Sequence, residues 1–321
     1  YCSAAYAWWY PSLMVCYHPI TAYQLNQCKP NGKKAIVFDL PRAPHSVINL
    51  PCGQCIGCRL ERSRQWAIRC MHEASLHSTN SFLTLTYDDA HIHWSSITGE
   101  QTLFKRDLQL FIKRLRKFLS PTKIRFFACG EYGDTTFRPH YHVILFGWSF
   151  PDRQLYKLSN AGFPYYISRT LDRIWSLGNC MIADVTFDSC AYVARYVTKK
   201  LNGEAGRIKY EGIQPEFINM SRRPGIGADW FSKYSSDVYP YDRVIIVDND
   251  KTRKLRPPRY YDKLYDAINH DEMEIIKEKR VLKAKSHELE IYEAGRLEAK
   301  EKFKLAQIKS LERNKTDEII Q

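Results

Sequence analysis

The stretch Arg138-Pro139-His140-Tyr141-His142-Val143-Ile144-Leu145-Phe146 decides how the chain is read. From Tyr141 to Phe146 it reads as a strand. Side chains on a strand alternate between faces, so His140 and His142 project from the same one. Their Cα atoms then lie roughly 7 Å apart, close enough for both imidazoles to reach one ion. Further along, Tyr192-Val193-Ala194-Arg195-Tyr196-Val197-Thr198-Lys199-Lys200 places two tyrosines four residues apart. On a helix they share a face, about 6 Å from each other. A metal on a strand and paired tyrosines on a helix point to chemistry on a phosphodiester, with tyrosine as nucleophile.

Two imidazoles are too few ligands for a hard, phosphate-activating ion, which also wants a carboxylate. Ile124 to Gly130 reads as a strand and Gly133 to Thr136 as a turn, so this strand and the histidine strand make a hairpin. Glu131, in Cys129-Gly130-Glu131-Tyr132-Gly133, is thereby brought across from His140 and His142. The expected site is Glu131, His140 and His142 holding Mg²⁺ or Mn²⁺ as a Lewis acid. Each half of this reading has a plainer rival. Alternating histidines are commonly core or surface residues, and Tyr192, Val193, Tyr196 and Val197 alone would make an apolar stripe. Their combination favours a site. Arg195, Lys199 and Lys200 stand ready to hold phosphates or lower a tyrosine pKa. Lys199, within one turn of Tyr196, is the favoured assistant.

The chain has 321 residues, 44% of them hydrophobic, enough for one large domain or two small ones. Its 48 Lys and Arg against 35 Asp and Glu leave +13. Residues 271–321 hold 12 basic and 12 acidic side chains, so the excess sits in residues 1–270. With 21 Tyr, 15 Phe and 7 Trp, that charge fits nucleic acid: cations for phosphates, rings for bases. No run of 18 apolar residues occurs, so no membrane span is expected. Tyr1 to Val15 lacks a basic n-region and an A-x-A site, which argues against a secretory signal. Met14 is the expected start, with residues 1–13 an upstream or non-native extension. No G-x₄-G-K-[ST] occurs, so strand separation is left to a host helicase or to supercoiling.

Ten cysteines in so long a chain are not a disulfide scaffold and fit a reducing compartment. Cys52, Cys55 and Cys58 form C-x₂-C-x₂-C ahead of a basic helix, which points to structural Zn²⁺. Cys16 is the first choice for the fourth ligand, with His18 and Cys28 in reserve. An iron–sulfur run would need another cysteine at position 62, which is Arg62. Arg222 and Arg223, with Gly225 and Gly227, are expected either to meet phosphates or to form an ordinary turn. The DNA-binding set is Arg138, Arg195, Lys200, Arg222 and Arg223.

Other elements follow from periodicity. Glu61 to Leu76 is a helix and Ser81 to Tyr87 a strand, followed by a loop over 88–103. Asp107 to Leu119 is an amphipathic helix burying Leu108, Phe111, Ile112, Leu115 and Phe118. Ile167 to Leu177 and Ser189 to Leu201 are helices, with a strand from Cys180 to Phe187 between them. Residues 14–60 and 202–262 read as loop-rich, apart from a strand over Val244 to Val247. From Asn269 onward the chain is charged helix, solvated or docked rather than a true coiled coil.

Phe82-Leu83-Thr84-Leu85-Thr86, Arg138-Pro139-His140-Tyr141-His142 and Tyr192 to Val197 resemble, in that order, the three motifs of the HUH endonucleases. These are a strand with a Thr-Leu-Thr core, the metal motif and the two-tyrosine motif. Glu131 matches the acidic third ligand in its Gly-Glu-x-Gly context. Pro51 to Arg59, Met220 to Gly227 and Pro257-Pro258-Arg259-Tyr260-Tyr261 resemble the replication initiation proteins of microviruses, specifically the gokushovirus branch. The resemblance covers residues 14–265. It implies an α+β fold with a five-stranded, mainly antiparallel sheet flanked by helices over 61–265. A Cys-rich element over 14–60 would precede it and a charged helical tail over 266–321 would follow. It also implies site-specific nicking and rejoining of single-stranded DNA at a replication origin through a 5′-phosphotyrosine. That reaction would start rolling-circle replication of a phage genome in the cytoplasm of its bacterial host, with the host helicase and DNA polymerase as partners. Two other readings compete. One is a relaxase or transposase of a mobile element. The other is a non-catalytic, zinc-stabilised DNA-binding protein, which leaves the histidine and tyrosine spacings unexplained.

Overall fold

The computed structural model describes residues 16–28, 34–133, 136–159, 162–196, 203–239, 241–248, 251–291 and 295–313. Residues 1–13, Lys199 and Lys200 lie outside these, and of Arg195 and Tyr196 only the backbone is described. The chain divides into two units, one from residues 1–61 with 278–314, the other from 62–277 with 315–321.

In the first unit, β1 (Ile20–Cys28), β2 (Lys34–Val37) and β3 (His45–Leu50) form an antiparallel sheet in the order β2-β1-β3. The expected loop-rich stretch therefore contains three strands. Four prolines hid them (Pro19, Pro41, Pro44 and Pro51), yet each lies just outside a strand, where it removes no ladder hydrogen bond. Helix α1 (Ile56–Ala74) starts here and runs on into the second unit.

The second unit is built on a seven-stranded sheet. Its first members are β4 (Asn80–Thr86) and, beyond a small pair β5 (His93–Trp94) and β6 (Gln101–Thr102) and helix α2 (Lys105–Leu119), the hairpin β7 (Arg125–Tyr132) and β8 (Pro139–Phe146). Next come β9 (Gln154–Leu158), β10 (Pro164–Ile167), α3 (Arg169–Trp175), β11 (Cys180–Ala183) and α4 (Phe187–Tyr196). Then follow α5 (Gly203–Lys209), β12 (Phe217–Met220), α6 (Ala228–Val238), the hairpin β13 (Val244–Asp248) and β14 (Lys251–Leu255), and α7 (Arg259–Asp266). The charged C-terminal segment is two helices, α8 (His270–Ile291) and α9 (Arg296–Arg313). No described helix is long and apolar enough to cross a membrane.

Sheet order is β12-β7-β8-β4-β11-β10-β9, with every neighbouring pair antiparallel. The expected class, α+β with an antiparallel sheet, is what the chain adopts, but the expected five strands are seven. The additions are at the edges, where pattern is weakest. Every residue of β9 is exposed, and β12 has only four residues. Central β8, by contrast, is buried at every position.

Helices cover both faces. Leu83, Leu85, Tyr141, Val143 and Leu145 on one face pack with Leu108, Phe111 and Leu115 of α2 and Leu171, Ile174 and Trp175 of α3. Burying each such side chain contributes about 1.5–3 kcal/mol. Within α2 the predicted stripe holds except at Phe118, which is exposed while Leu119 is buried. On the opposite face the ring of Trp66 from α1 lies 4.8 Å from that of Phe127. Ser63 Oγ of α1 donates to the Ala191 carbonyl of α4 at 2.9 Å. The predicted histidines face this second layer.

Candidate active site

Register places the site. Across the β7–β8 hairpin Glu131 pairs with His140 and Cys129 with His142, while β4 sets Thr84 opposite His142. Period-two alternation then turns Thr84, Glu131, His140 and His142 to the same face. Gly130 lets β7 lie this close: a Cβ there would sit 2.9 Å from the Phe217 ring and 3.1 Å from that of Tyr141.

Glu131, His140 and His142 are all buried. The Nε2 atoms of His140 and His142 lie 2.7 and 2.9 Å from the same oxygen, Glu131 Oε1. The other oxygen, Oε2, is buried with no hydrogen-bond partner. Burial alone would push the Glu131 carboxyl up, but the two imidazoles outweigh it and hold it down at about 2. Each ring is fixed from behind. His140 Nδ1 donates to the Arg138 carbonyl at 3.1 Å, and His142 Nδ1 lies 3.1 Å from Thr84 Oγ1. A carbonyl only accepts, so Nδ1 of His140 carries the proton and Nε2 is the nitrogen turned to the centre. One candidate ligand atom from each residue lies within 4.8 Å of the others. Two imidazole nitrogens, a shared carboxylate and an orphaned carboxylate oxygen fit a divalent cation, which would replace the protons now shared between them.

The tyrosine helix lies on this group. The Tyr192 ring packs edge-on against His142, centroids 5.2 Å apart, and Phe82 contacts both at 5.4 and 6.5 Å. Tyr196 and Arg195 follow in the same helix by backbone. Sequence reasoning missed Thr84 and Phe82 as site residues, although the Thr-Leu-Thr run was singled out. The missing signal was the pairing of β4 with β8, a contact between strands distant in sequence.

The predicted DNA-binding residues are scattered. Arg138 ties its guanidinium to the Tyr87 carbonyl at 2.8 Å and to Asp89, also at 2.8 Å. Arg222 and Arg223 are exposed in the turn between β12 and α6. The glycines beside them do not cradle an anion as expected. The Gly227 N–H donates to the buried Glu73 carboxylate at 2.7 Å, and Gly227, at φ +77°, lies where a Cβ would meet Tyr261 Oη at 2.5 Å. In the other unit, the sulfurs of Cys16, Cys52, Cys55 and Cys58 come within 4.8 Å of one another. His18 is turned away to Glu301, 2.6 Å distant, and the Cys28 side chain lies outside the described residues.

Residues 80–201, from β4 through the tyrosine helix, match the family model of the replication-associated protein ORF2. The replication-associated protein ORF2 of Spiroplasma virus 4 is 32% identical over 286 residues, covering 85% of this chain and 87% of that one. The chain belongs to this replication-associated protein family. The replication-associated protein VP4 of Bdellovibrio phage phiMH2K is 36% identical over 247 residues, 74% of each chain. The replication-associated protein ORF4 of Chlamydia phage 1 is 37% identical over 159 residues, 47% of this chain and 38% of that one. These phages are microviruses, so the expected kinship with microvirus replication proteins is borne out. No solved structure matches. The family match takes in Glu131, His140, His142 and Tyr192, and so encloses the whole buried group.

Proposed function

We propose that this replication-associated protein nicks and rejoins single-stranded DNA at a phage replication origin and so starts rolling-circle replication. One observation carries the reading: the Tyr192 ring lies against His142, in the same buried group as His140 and Glu131. A nucleophile and a cation site thus adjoin on one face of the sheet. A Mg²⁺ or Mn²⁺ held by Glu131, His140 and His142 would supply Lewis-acid polarisation of a phosphoryl oxygen. The chain's own part is as follows. Thr84 and the Arg138 carbonyl hold the imidazoles in orientation, and β7 carries the carboxylate to them. The phenol oxygen of Tyr192 or Tyr196 bonds to phosphorus as it loses its proton. The bond from phosphorus to the 3′ oxygen breaks, and that oxygen takes a proton. The 5′ phosphate stays on tyrosine, and attack by a 3′ hydroxyl reverses the step and joins the ends. Two tyrosines suit a reaction in which a second cut precedes release of the first end. Lys199 is positioned in sequence to assist Tyr196, and Arg195 and Lys200 to hold phosphates. With no P-loop in the sequence, strand separation and synthesis fall to helicase and polymerase in the bacterial host's cytoplasm.

The test is incubation with single-stranded DNA bearing the cognate origin and Mn²⁺, read on a denaturing gel. The expected result is a covalent protein–DNA adduct that disappears in the Tyr192→Phe/Tyr196→Phe double variant. Tight binding to a verified origin with neither cleavage nor adduct would overturn the reading in favour of a non-catalytic DNA-binding protein.

A further inference from the structure

The four cysteines brought together in the first unit are not used by the chemistry above. Cys16 lies 36 residues before Cys52 in sequence, yet the Cys52 N–H donates to Cys16 Sγ at 3.2 Å. The Gln54 and Cys55 N–H groups donate to Cys52 Sγ at 3.4 and 3.3 Å, and the Tyr17 N–H to Cys55 Sγ at 3.3 Å. A backbone bond from Gly53 reaches Cys58. Every sulfur is thus met by an amide donor, an arrangement that suits negatively charged thiolates rather than neutral thiols. None of the four is exposed and none is in a disulfide.

The geometry points to a closed, structural Zn²⁺ site made by Cys16, Cys52, Cys55 and Cys58. Tetrahedral coordination with bonds of about 2.3 Å separates the sulfurs by about 3.8 Å. Cys16 Sγ and Cys55 Sγ lie 3.9 Å apart, and all four fall within 4.8 Å of one another. The spacing is too wide for a disulfide and already close to that of a metal-bound set. Four protein ligands leave no position for water or substrate, which marks a structural rather than a catalytic ion. Zinc is chosen over iron because divalent zinc binds such a site more tightly than ferrous iron does.

The unit has a physical need for such an ion. Among the described side chains of β1, β2 and β3, only Ala22 is buried. Ile20, Ile36, Phe38, Leu40 and Val47 are exposed. A three-stranded sheet without a core is not stable alone, and a metal that closes the loop from Cys16 to Cys52 replaces the missing burial. The ion also suits α1. Cys55 abuts its first residue and Cys58 lies in its first turn, where no acidic side chain is present. Thiolates there face the positive end of the helix dipole.

The full chain, purified without added metal, should hold about one zinc ion per chain after dialysis against EDTA, measured by elemental mass spectrometry. His140→Ala/His142→Ala should keep that zinc, whereas Cys52→Ser/Cys55→Ser should lose it. Replacement with Co²⁺ should give intense thiolate-to-cobalt charge-transfer absorption and tetrahedral d–d bands. If the cysteine variant fails to fold, the cobalt spectrum of the unaltered chain decides alone. Zinc that survives the cysteine substitutions, bound iron in its place, or a folded chain without thiolate–cobalt bands would overturn the proposal.

Discussion

At the scale of single residues, Thr84 shows how little holds the centre in place. Its hydroxyl is 3.1 Å from His142 Nδ1, on the side of the ring away from Glu131. Removing it leaves the ligands intact but frees the ring to rotate. Thr84→Val, nearly equal in volume, is expected to weaken apparent Mn²⁺ affinity about 10–100-fold. Activity at saturating Mn²⁺ should stay near that of the parent. A Mn²⁺ titration of origin nicking checks this, and an unchanged half-saturation point would remove Thr84 from the positioning role. His72 gives a second prediction, on stability. It is buried against Trp230, ring centroids 3.4 Å apart, with Nδ1 2.9 Å from Tyr261 Oη and Nε2 without a partner. Burial pushes its pKa down to about 3. Between there and the ordinary value of about 6.5 the unfolded chain binds more protons, so stability rises with pH in that window and is lost on acidification. From pH 7 to 5 the parent should lose about 2 kcal/mol through this group. His72→Phe should lack that share of the loss, as read from urea midpoints at the two pH values. Equal losses in both proteins would show that His72 is not the titrating group.

Among the elements, the hairpin and α2 were legible because each carries a strong period. Alternation over β8 placed both histidines on one face, and a short turn forced Glu131 opposite them. The helical stripe likewise gave Leu108, Phe111, Ile112 and Leu115, all of which are buried. It failed at the last turn, where Phe118 is 51% and Leu119 5% exposed. The stripe near a helix end is set by where the chain must turn, here Ser120-Pro121, and not by hydrophobicity alone. That contrast is testable. Leu115→Ala should destabilise by about 2–5 kcal/mol through loss of burial and an unfilled cavity. Phe118→Ala should stay within about 0.5 kcal/mol. Equal shifts in urea midpoint would contradict the observed orientation of α2. The outer strands β9, β10 and β12 were illegible for a related reason. Edge strands with exposed or short faces bury too little to leave an alternating signature. β1–β3 escaped notice because the first unit has almost no core to imprint one.

For the whole molecule, the informative quantity is where charge lies rather than its sum. The +13 belongs to residues 1–270, since residues 271–321 balance 12 basic with 12 acidic side chains. Within the tail this balance takes the form of local pairs such as Lys302 with Glu298 at 2.7 Å. Such paired cations release few counterions on meeting DNA, whereas exposed, unbalanced arginines release more. Arg222 and Arg223 are exposed in the turn leading into α6, so they are the sharpest test of that distinction. Affinity for single-stranded DNA falls with log salt by a slope of about 0.7 per neutralised phosphate. If each guanidinium meets one phosphate, Arg222→Gln/Arg223→Gln should reduce the slope by about 1.4 and weaken binding across sequences alike. Lys302→Gln/Lys309→Gln, removing the same formal charge from α9, should leave the slope unchanged. Fluorescence-anisotropy titrations over a range of salt concentrations separate the cases. Equal slopes for both variants would mean that DNA responds to net charge alone and that the turn holds no phosphate.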